Sequence, residues 1–509
     1  MMSADAELLL LLLPDELLLM VLRHLGAPDL LSCRRVCRRL WRLALDPLLW
    51  QHQVLDDRES WACAVLQLAP CLRTLTVRWT PLCHREYTVE TACAVESLSI
   101  TVRRAAGFKR ACSVIRNQAA LGRLRHVSLA LEPWDPPFRP FSPHLPGHQF
   151  ALWLLLQTLA NTPGLLELEV RTLRGREHIN LGLPKPLAGS VAPSLRRFVC
   201  REHSGSGFRD IGLEHTVLRA HAATLEEVNI GSYAMAETSS LLARIPHLRK
   251  LTCSLMLHMG QLAGCSKLTD VKFCVPPQRI SASLTASVEA FLTEARQLRA
   301  LTLEFDEYNR KSSKELVKII AQVAGRSRLE SLALLEKKRS KYTVGYDSDT
   351  DSENDGGDGF QANVGMGFKT VPLFQPLLQA VRLLSHLRRL EVSRMPEELL
   401  EGITPVTAPG LRTLVVTKLS GSTCLHSVLH RPGVMELLKA NPQLHVDVSL
   451  DDAFPCYFPC EWCRRQCHRN IPDGARVGFF THDPTDTCTI PEHNSSDQFS
   501  CPKWIHISH

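Results

Sequence analysis

The feature that most constrains this chain is a short unit, L-x-x-L-x-L with substitutions, that occurs twelve times along it. The units start at Leu72, Val95, Leu124, Leu165, Leu195, Leu225, Leu248, Leu268, Leu298, Leu329, Leu387 and Leu411. Most successive starts lie 20–31 residues apart, and the two exceptions are gaps of 41 and 58 residues. The last three positions of each unit alternate apolar, polar, apolar, which predicts a short strand with one face buried. Several intervening stretches carry helical spacing. In Ser287–Ala300, for example, Val288, Phe291, Leu292, Ala295 and Leu298 recur near one face and predict a helix. One strand and one helix cannot bury their apolar faces alone, so neighbours must stack into a curved solenoid. With 45% hydrophobic residues the chain can fill such a core.

These units resemble leucine-rich repeats. The ninth position, where that family places Asn or Cys, holds residues such as Thr80, Arg103, Glu132, Asp306 and Lys337 instead. The usual ladder of side chains that satisfies the turn backbone is therefore missing, and degenerate repeats with uneven curvature are expected. The outward strand positions include Thr76, Glu169, Asn229, Thr252, Lys272, Thr302, Glu391 and Val415. In a solenoid of this kind they line the surface that binds a partner. A general α/β domain with similar-looking strands is the alternative reading.

Residues 13–50 have a different grammar. Pro14, Asp15 and Glu16 suit a helix start, and Leu18, Val21, Leu22 and Leu25 fall on one apolar face. Gly26 offers a left-handed stop. Pro28-Asp29 restarts a run in which Leu30, Cys33, Val36, Cys37, Leu40 and Ala44 share a side, and Asp46-Pro47 ends it. A module this small buries little by itself, and its leucines exceed one face, which predicts a docking surface. The stretch resembles an F-box through Leu13-Pro14-Asp15-Glu16-Leu17, Leu22, Leu25, Asp29-Leu30, Val36-Cys37-Arg38, Arg42-Leu43-Ala44, Asp46 and Leu49-Trp50. That family commonly has an aromatic where Leu40 stands, whereas here Trp41 comes one place later.

The resemblance is to the leucine-rich-repeat-containing type of F-box protein. It implies docking onto the Skp-type adaptor of a cullin-based ubiquitin ligase, with an unknown protein substrate held by the repeats. The expected adaptor contacts are Leu13, Pro14, Leu17, Leu22, Leu25, Leu30 and Trp50. An ordinary Leu-rich helical hairpin is the plainer reading of the same pattern.

Two insertions interrupt the repeats. Residues 133–148 contain six prolines and predict a surface loop rather than a regular element. Residues 337–370 pass from basic to acidic, are rich in glycine, and predict a disordered insertion. Within them Ser348, Thr350 and Ser352 precede acidic residues, a setting for phosphorylation, or form part of a solvated loop.

The end of the chain gathers Cys456, Cys460, Cys463, Cys467, Cys488 and Cys501. Cys460, Cys463 and Cys467 would share one helix face, and with His468 they are candidate ligands of a structural zinc ion. An apolar cysteine face or lipid-modified thiols fit the same residues.

The expected architecture is thus α/β. A short helical F-box module spans 1–55, a degenerate leucine-rich-repeat solenoid 56–450, and a cysteine-rich tail 451–509. A net charge of +7 over 509 residues is too dilute to point to nucleic acid or a membrane surface. No stretch has the length of a membrane span, and Asp5 and Glu7 stand where a secretion signal would be basic, so a cytoplasmic or nuclear place is expected. No catalytic motif stands out. The expected role is a non-catalytic substrate receptor, the alternatives being a non-degradative scaffold or a zinc-binding protein whose activity lies in the tail.

Overall fold

The computed structural model describes residues 13–78, 90–102, 105–131, 146–172, 192–202, 213–231, 237–276, 279–305, 310–337, 374–394, 396–419, 428–450, 464, 476–482 and 503–507. The chain divides into two compact units, Met1–Cys253 and Ser254–His509.

The first unit opens with four short helices, α1 (Asp15–Leu22), α2 (Ala27–Cys33), α3 (Arg38–Leu43) and α4 (Pro47–Trp50). Strands and helices then follow as β1 (Val54–Asp56), α5 (Ala62–Leu68), β2 (Cys71–Val77), β3 (Ala94–Val102), α6 (Ala105–Ala120), β4 (His126–Leu131) and α7 (Pro146–Ala160). They continue through β5 (Glu167–Thr172), β6 (Arg197–Glu202), α8 (Leu213–Ala220), β7 (Glu227–Asn229), α9 (Thr238–Leu242) and β8 (Lys250–Ser254), whose last residue opens the second unit. Strands β1 to β8 pair in chain order, all parallel.

The second unit holds β9 (Asp270–Cys274), α10 (Ala282–Glu294), β10 (Ala300–Phe305), α11 (Arg310–Val323), β11 (Ser331–Glu336), α12 (Phe374–Leu383) and β12 (Arg389–Val392). It ends with α13 (Glu397–Gly402), β13 (Thr413–Leu419), α14 (Pro432–Ala440), β14 (His445–Leu450), β15 (Arg476–Phe480) and β16 (Lys503–His506). Strands β9 to β14 are parallel and in chain order. β15 then pairs antiparallel with β14, and β16 runs parallel to β15. Each unit is a solenoid of strand-and-helix turns.

All twelve repeats land on strands, β2 through β13, in one register within each unit. Their fourth positions form a row in the first unit: Leu75, Leu98, Val127, Leu168, Phe198, Val228 and Leu251. The second unit repeats it with Val271, Leu301, Leu332, Leu390 and Leu414, and Val446 of β14 extends it. Every one of these side chains is buried. Full burial of such a side chain contributes about 1.5–3 kcal/mol, and each row is continuous, so the stability is shared between turns.

A second row is made of backbone. The residue after the first leucine donates its N–H to its counterpart one turn earlier: Arg196 to Leu166 at 2.8 Å, Glu226 to Arg196 at 2.8 Å, Arg388 to Glu330 at 2.8 Å and Arg412 to Arg388 at 2.8 Å. This extends the sheet upstream of the strands without help from side chains.

Individual side chains satisfy backbone groups on the approach to the strands. The Gln118 amide donates to the Cys93 carbonyl at 3.0 Å and accepts from the Val95 N–H at 2.9 Å. His221 Nδ1 accepts from the N–H groups of Ser194 and Leu195 at 3.3 and 3.4 Å. The Gln297 amide donates to the carbonyls of Ala263 and Cys265 at 3.1 and 2.9 Å. Glutamine serves at two of these places and histidine at the third.

Several expectations need correction. The helix expected over Ser287–Ala300 starts earlier, at Ala282, where the Ser281 hydroxyl accepts the Leu284 N–H at 3.3 Å. It ends at Glu294, and Leu298 belongs to the approach to β10. Pro146, inside the proline-rich segment, opens α7; residues 132–145 lie outside the described residues. Val415 is buried rather than outward-exposed. Two strands, β15 and β16, lie within 451–509 and continue the sheet of the second unit, so that stretch is not only a tail. Asp447 of β14 is buried and held by a fork from Arg476, whose Nε lies 2.9 Å from Asp447 Oδ1.

Candidate functional site

The four N-terminal helices have a core of their own. Leu18, Leu22, Leu30, Leu40, Ala44, Leu49 and Trp50 are buried. The Trp50 indole N–H donates to the Ala44 carbonyl at 2.7 Å, so the largest core side chain brings its polar atom in paired. Arg39 ties the first helix to the third: its Nε donates to Asp15 Oδ1 at 2.8 Å and its Nη2 to the Leu13 carbonyl at 2.6 Å. The Gln53 amide donates to the Leu25 carbonyl at 3.0 Å, joining the helices to the chain that enters β1.

Local chemistry divides these helices more finely than their periodicity suggests. Gly26 is extended (φ −74°, ψ 166°), not left-handed, and precedes α2 as its cap. The run from Pro28 to Ala44 is not one helix. It breaks between Cys33 and Arg38, and Cys37 turns extended so that its sulfur accepts the Leu40 N–H at 3.4 Å. Asp46-Pro47 starts a helix rather than ending one, with the Asp46 carboxylate accepting the Leu48 N–H at 2.8 Å.

A set of large apolar side chains on these helices faces outward. Val36 is 69% exposed, Met20 57%, Leu48 56% and Trp41 50%, with Leu17 and Val21 somewhat less. Six large apolar residues within 32 positions are thus exposed. Leu40 has gone inside, and the aromatic one place later lies outside with the Arg34 guanidinium 5.3 Å over its ring.

The expected contact residues separate into two groups. Leu17 and Pro14 are exposed, and Leu13 and Leu25 are half-buried. Leu22, Leu30 and Trp50 are buried in the core of these helices. Met20, Val21, Val36, Trp41 and Leu48, which the expectation did not name, are exposed. The exposure of Val36 and Trp41 goes with the break before α3, where Cys37 is extended, which helical spacing alone hides.

The strands present a second surface on the face opposite the core rows. Across β5 to β8 one register row reads Glu167, Arg197, Glu227, Lys250. Arg197 lies 3.3 Å from Glu167 and 3.4 Å from Glu227, and Lys250 lies 3.1 Å from Glu227. One row on, Arg171 grips Glu169, Nε to Oε1 at 2.8 Å and Nη2 to Oε2 at 2.8 Å. This fork, then the nearby charges of Arg171, Arg201 and Arg197, holds the Glu169 carboxyl below the usual carboxylate range.

Thiol acidity moves the other way. Burial pushes Cys93 up to about 12, and burial also raises Cys112, Cys265 and Cys274. These thiols are protonated at neutral pH and are packing groups rather than nucleophiles. Among the described residues no group of His, Cys, Asp and Glu is arranged to hold a metal ion. The candidate zinc ligands Cys460, Cys463, Cys467 and His468, and the candidate phosphorylation positions Ser348, Thr350 and Ser352, lie outside the described residues. None of the helices among the described residues is long and apolar enough to cross a membrane.

Comparison with known proteins agrees with the geometry at the front of the chain. Residues 10–56 match the F-box-like family model, and the N-terminal helices are an F-box-like domain. No curated protein matches the chain. Among solved structures, that of a TLR13–ssRNA13 complex matches at 10% identity with a TM-score of 0.29. The match covers 78% of this chain and 56% of that chain, so this chain spans little more than half of its length.

Proposed function

We propose that this chain is the substrate-recognition subunit of a Skp–cullin–F-box type ubiquitin ligase. The F-box-like domain docks on the Skp-type adaptor, and the strand face of the solenoid holds a protein client for ubiquitination. The observation that carries the reading is the outward apolar set Leu17, Met20, Val21, Val36, Trp41 and Leu48, mounted on a domain with its own core. A surface of that composition gains stability only when covered.

The mechanism is proximity. Tethering raises the effective concentration of the client beside the transferring enzyme, and this chain supplies no acid, base or nucleophile. Such a role places it in the cytoplasm or nucleus.

Co-purification of the full chain with the adaptor and a cullin tests the first half. Client abundance that rises when this protein is removed tests the second. Capture of the adaptor and cullin with no client accumulating would favour a non-degradative scaffold instead.

A further inference from the structure

In the second unit α11 and α12 pack against each other. Between them lies an open groove of about 520 Å³, lined by Lys318, Ala321, Gln322, Gln379, Arg382 and Leu383. Leu383 is 52% exposed, and Lys318 and Arg382 are exposed as well. Among the described residues neither cation forms an ion pair. Acid is scarce on both helices. α12 has none, and Glu315, the single acid of α11, is half-buried and does not line the groove. The groove therefore offers an apolar side chain together with two uncompensated cations, and no carboxylate competes for them.

The chain itself carries a segment of complementary chemistry. Between β11, which ends at Glu336, and α12, which begins at Phe374, residues 338–373 lie outside the described residues. Six acidic residues fall between Asp347 and Asp358, no Lys or Arg occurs from 342 to 368, and Phe360 follows close behind. Arg382 comes 8 residues after Phe374, which is about 12 Å along the helix. The stretch 359–373 spans up to about 50 Å when extended, so the acids can reach the groove.

Magnitude decides between this segment and a separate acidic partner. Exposed ion pairs are individually weak, so two cations and one leucine would hold a free peptide poorly. A segment joined to α12 stands at about millimolar effective concentration, where the same weak contacts suffice. We infer that the acidic segment 347–358 docks in the α11–α12 groove, with its carboxylates on Lys318 and Arg382 and with Phe360 over Leu383. This contact does not depend on the substrate-receptor role.

The test is cleavage of the full chain after Glu353 by endoproteinase Glu-C, followed by mass spectrometry. Wild type is expected to be cut at least about fivefold more slowly than a free peptide of residues 345–362. Lys318→Glu/Arg382→Glu is expected to raise the rate in the full chain about fivefold. Salt at about 0.5 M is expected to raise it in the wild type and not in that variant, because it screens exposed charges. Arg73→Glu/Lys109→Glu, on two exposed cations of the first unit, makes the same change in net charge and is expected to leave the rate within twofold. Cleavage after Glu315, on α11, reports whether the helices stay folded. If it rises in the charge-reversed variant, the milder Lys318→Gln/Arg382→Gln, expected to speed cleavage after Glu353 about threefold, decides instead. Wild-type cleavage as fast as that of the free peptide overturns the inference, as does equal acceleration by the first-unit control.

Discussion

A core residue and a surface residue of the F-box-like domain should fail in opposite ways. Trp50 is fully buried and donates its indole N–H to the Ala44 carbonyl at 2.7 Å. Replacing it with alanine removes a large apolar side chain at a cost of about 3–5 kcal/mol. It also leaves a buried carbonyl without its partner, at about 1 kcal/mol or more. Against a typical domain stability of about 5–15 kcal/mol, that is enough to melt the helices. Trp50→Phe keeps most of the volume and loses the hydrogen bond, so a cost of about 1–3 kcal/mol is expected with the domain still folded.

Met20 is 57% exposed, and Met20→Asp should change stability by no more than about 0.5 kcal/mol. If Met20 anchors the adaptor, the same change should weaken capture by about 1–3 kcal/mol, or about 5- to 150-fold. Urea unfolding followed by circular dichroism gives the first quantity, and adaptor titration by surface plasmon resonance the second. The expected pattern is a double separation: Trp50→Phe unfolds early but binds, whereas Met20→Asp is stable but does not bind. The reasoning fails if a folded Trp50→Phe protein loses the adaptor, or if Met20→Asp lowers the unfolding midpoint as much as Trp50→Phe does.

Three further outcomes follow from single positions. Gln118→Leu strands the Cys93 carbonyl and the Val95 N–H inside the first unit, and should lower its stability by about 2–5 kcal/mol in urea; a change below 0.5 kcal/mol would show that the amide is not a staple. His221 is buried, and burial lowers its pKa in the folded protein. Below about pH 6.5 the unfolded chain therefore binds a proton the native state refuses, so stability falls as the pH falls through that window toward the folded pKa. His221→Gln should flatten the dependence of the urea midpoint between pH 7.5 and 5, and parallel curves for the two proteins would refute the assignment. A Cβ at Gly478 would lie 2.7 Å from Trp504 Cδ2 and closer still to other atoms of that ring. Gly478→Ala should thus cost about 1–3 kcal/mol and speed hydrogen exchange in β15 and β16 while sparing β2 to β6, and unchanged exchange would count against it.

The rows of the solenoid were legible in the chain itself. An apolar residue at every second strand position can face only one way, so twelve recurrences specified twelve strands and their buried rows before any contact was known. The F-box-like stretch was legible for a related reason, since its Pro, Asp and Leu positions act through local backbone chemistry. Where the signal lay beyond a residue's own neighbours, the sequence was silent. Gln443 stands where a thirteenth unit would need its first leucine, so β14 escaped notice although Val446 continues the row of Leu414. β15 and β16 join through an antiparallel step that no repeat foretells.

The outward turn of Val36 and Trp41 depended on a helix break at Cys37, and Trp50 is buried with its indole N–H on the Ala44 carbonyl. Periodicity fixes which side chains share a face; whether that face is covered depends on what the rest of the chain brings to it. That is why the leucines of the front helices could be named from the sequence, while their division into buried and exposed was decided by the tertiary structure alone.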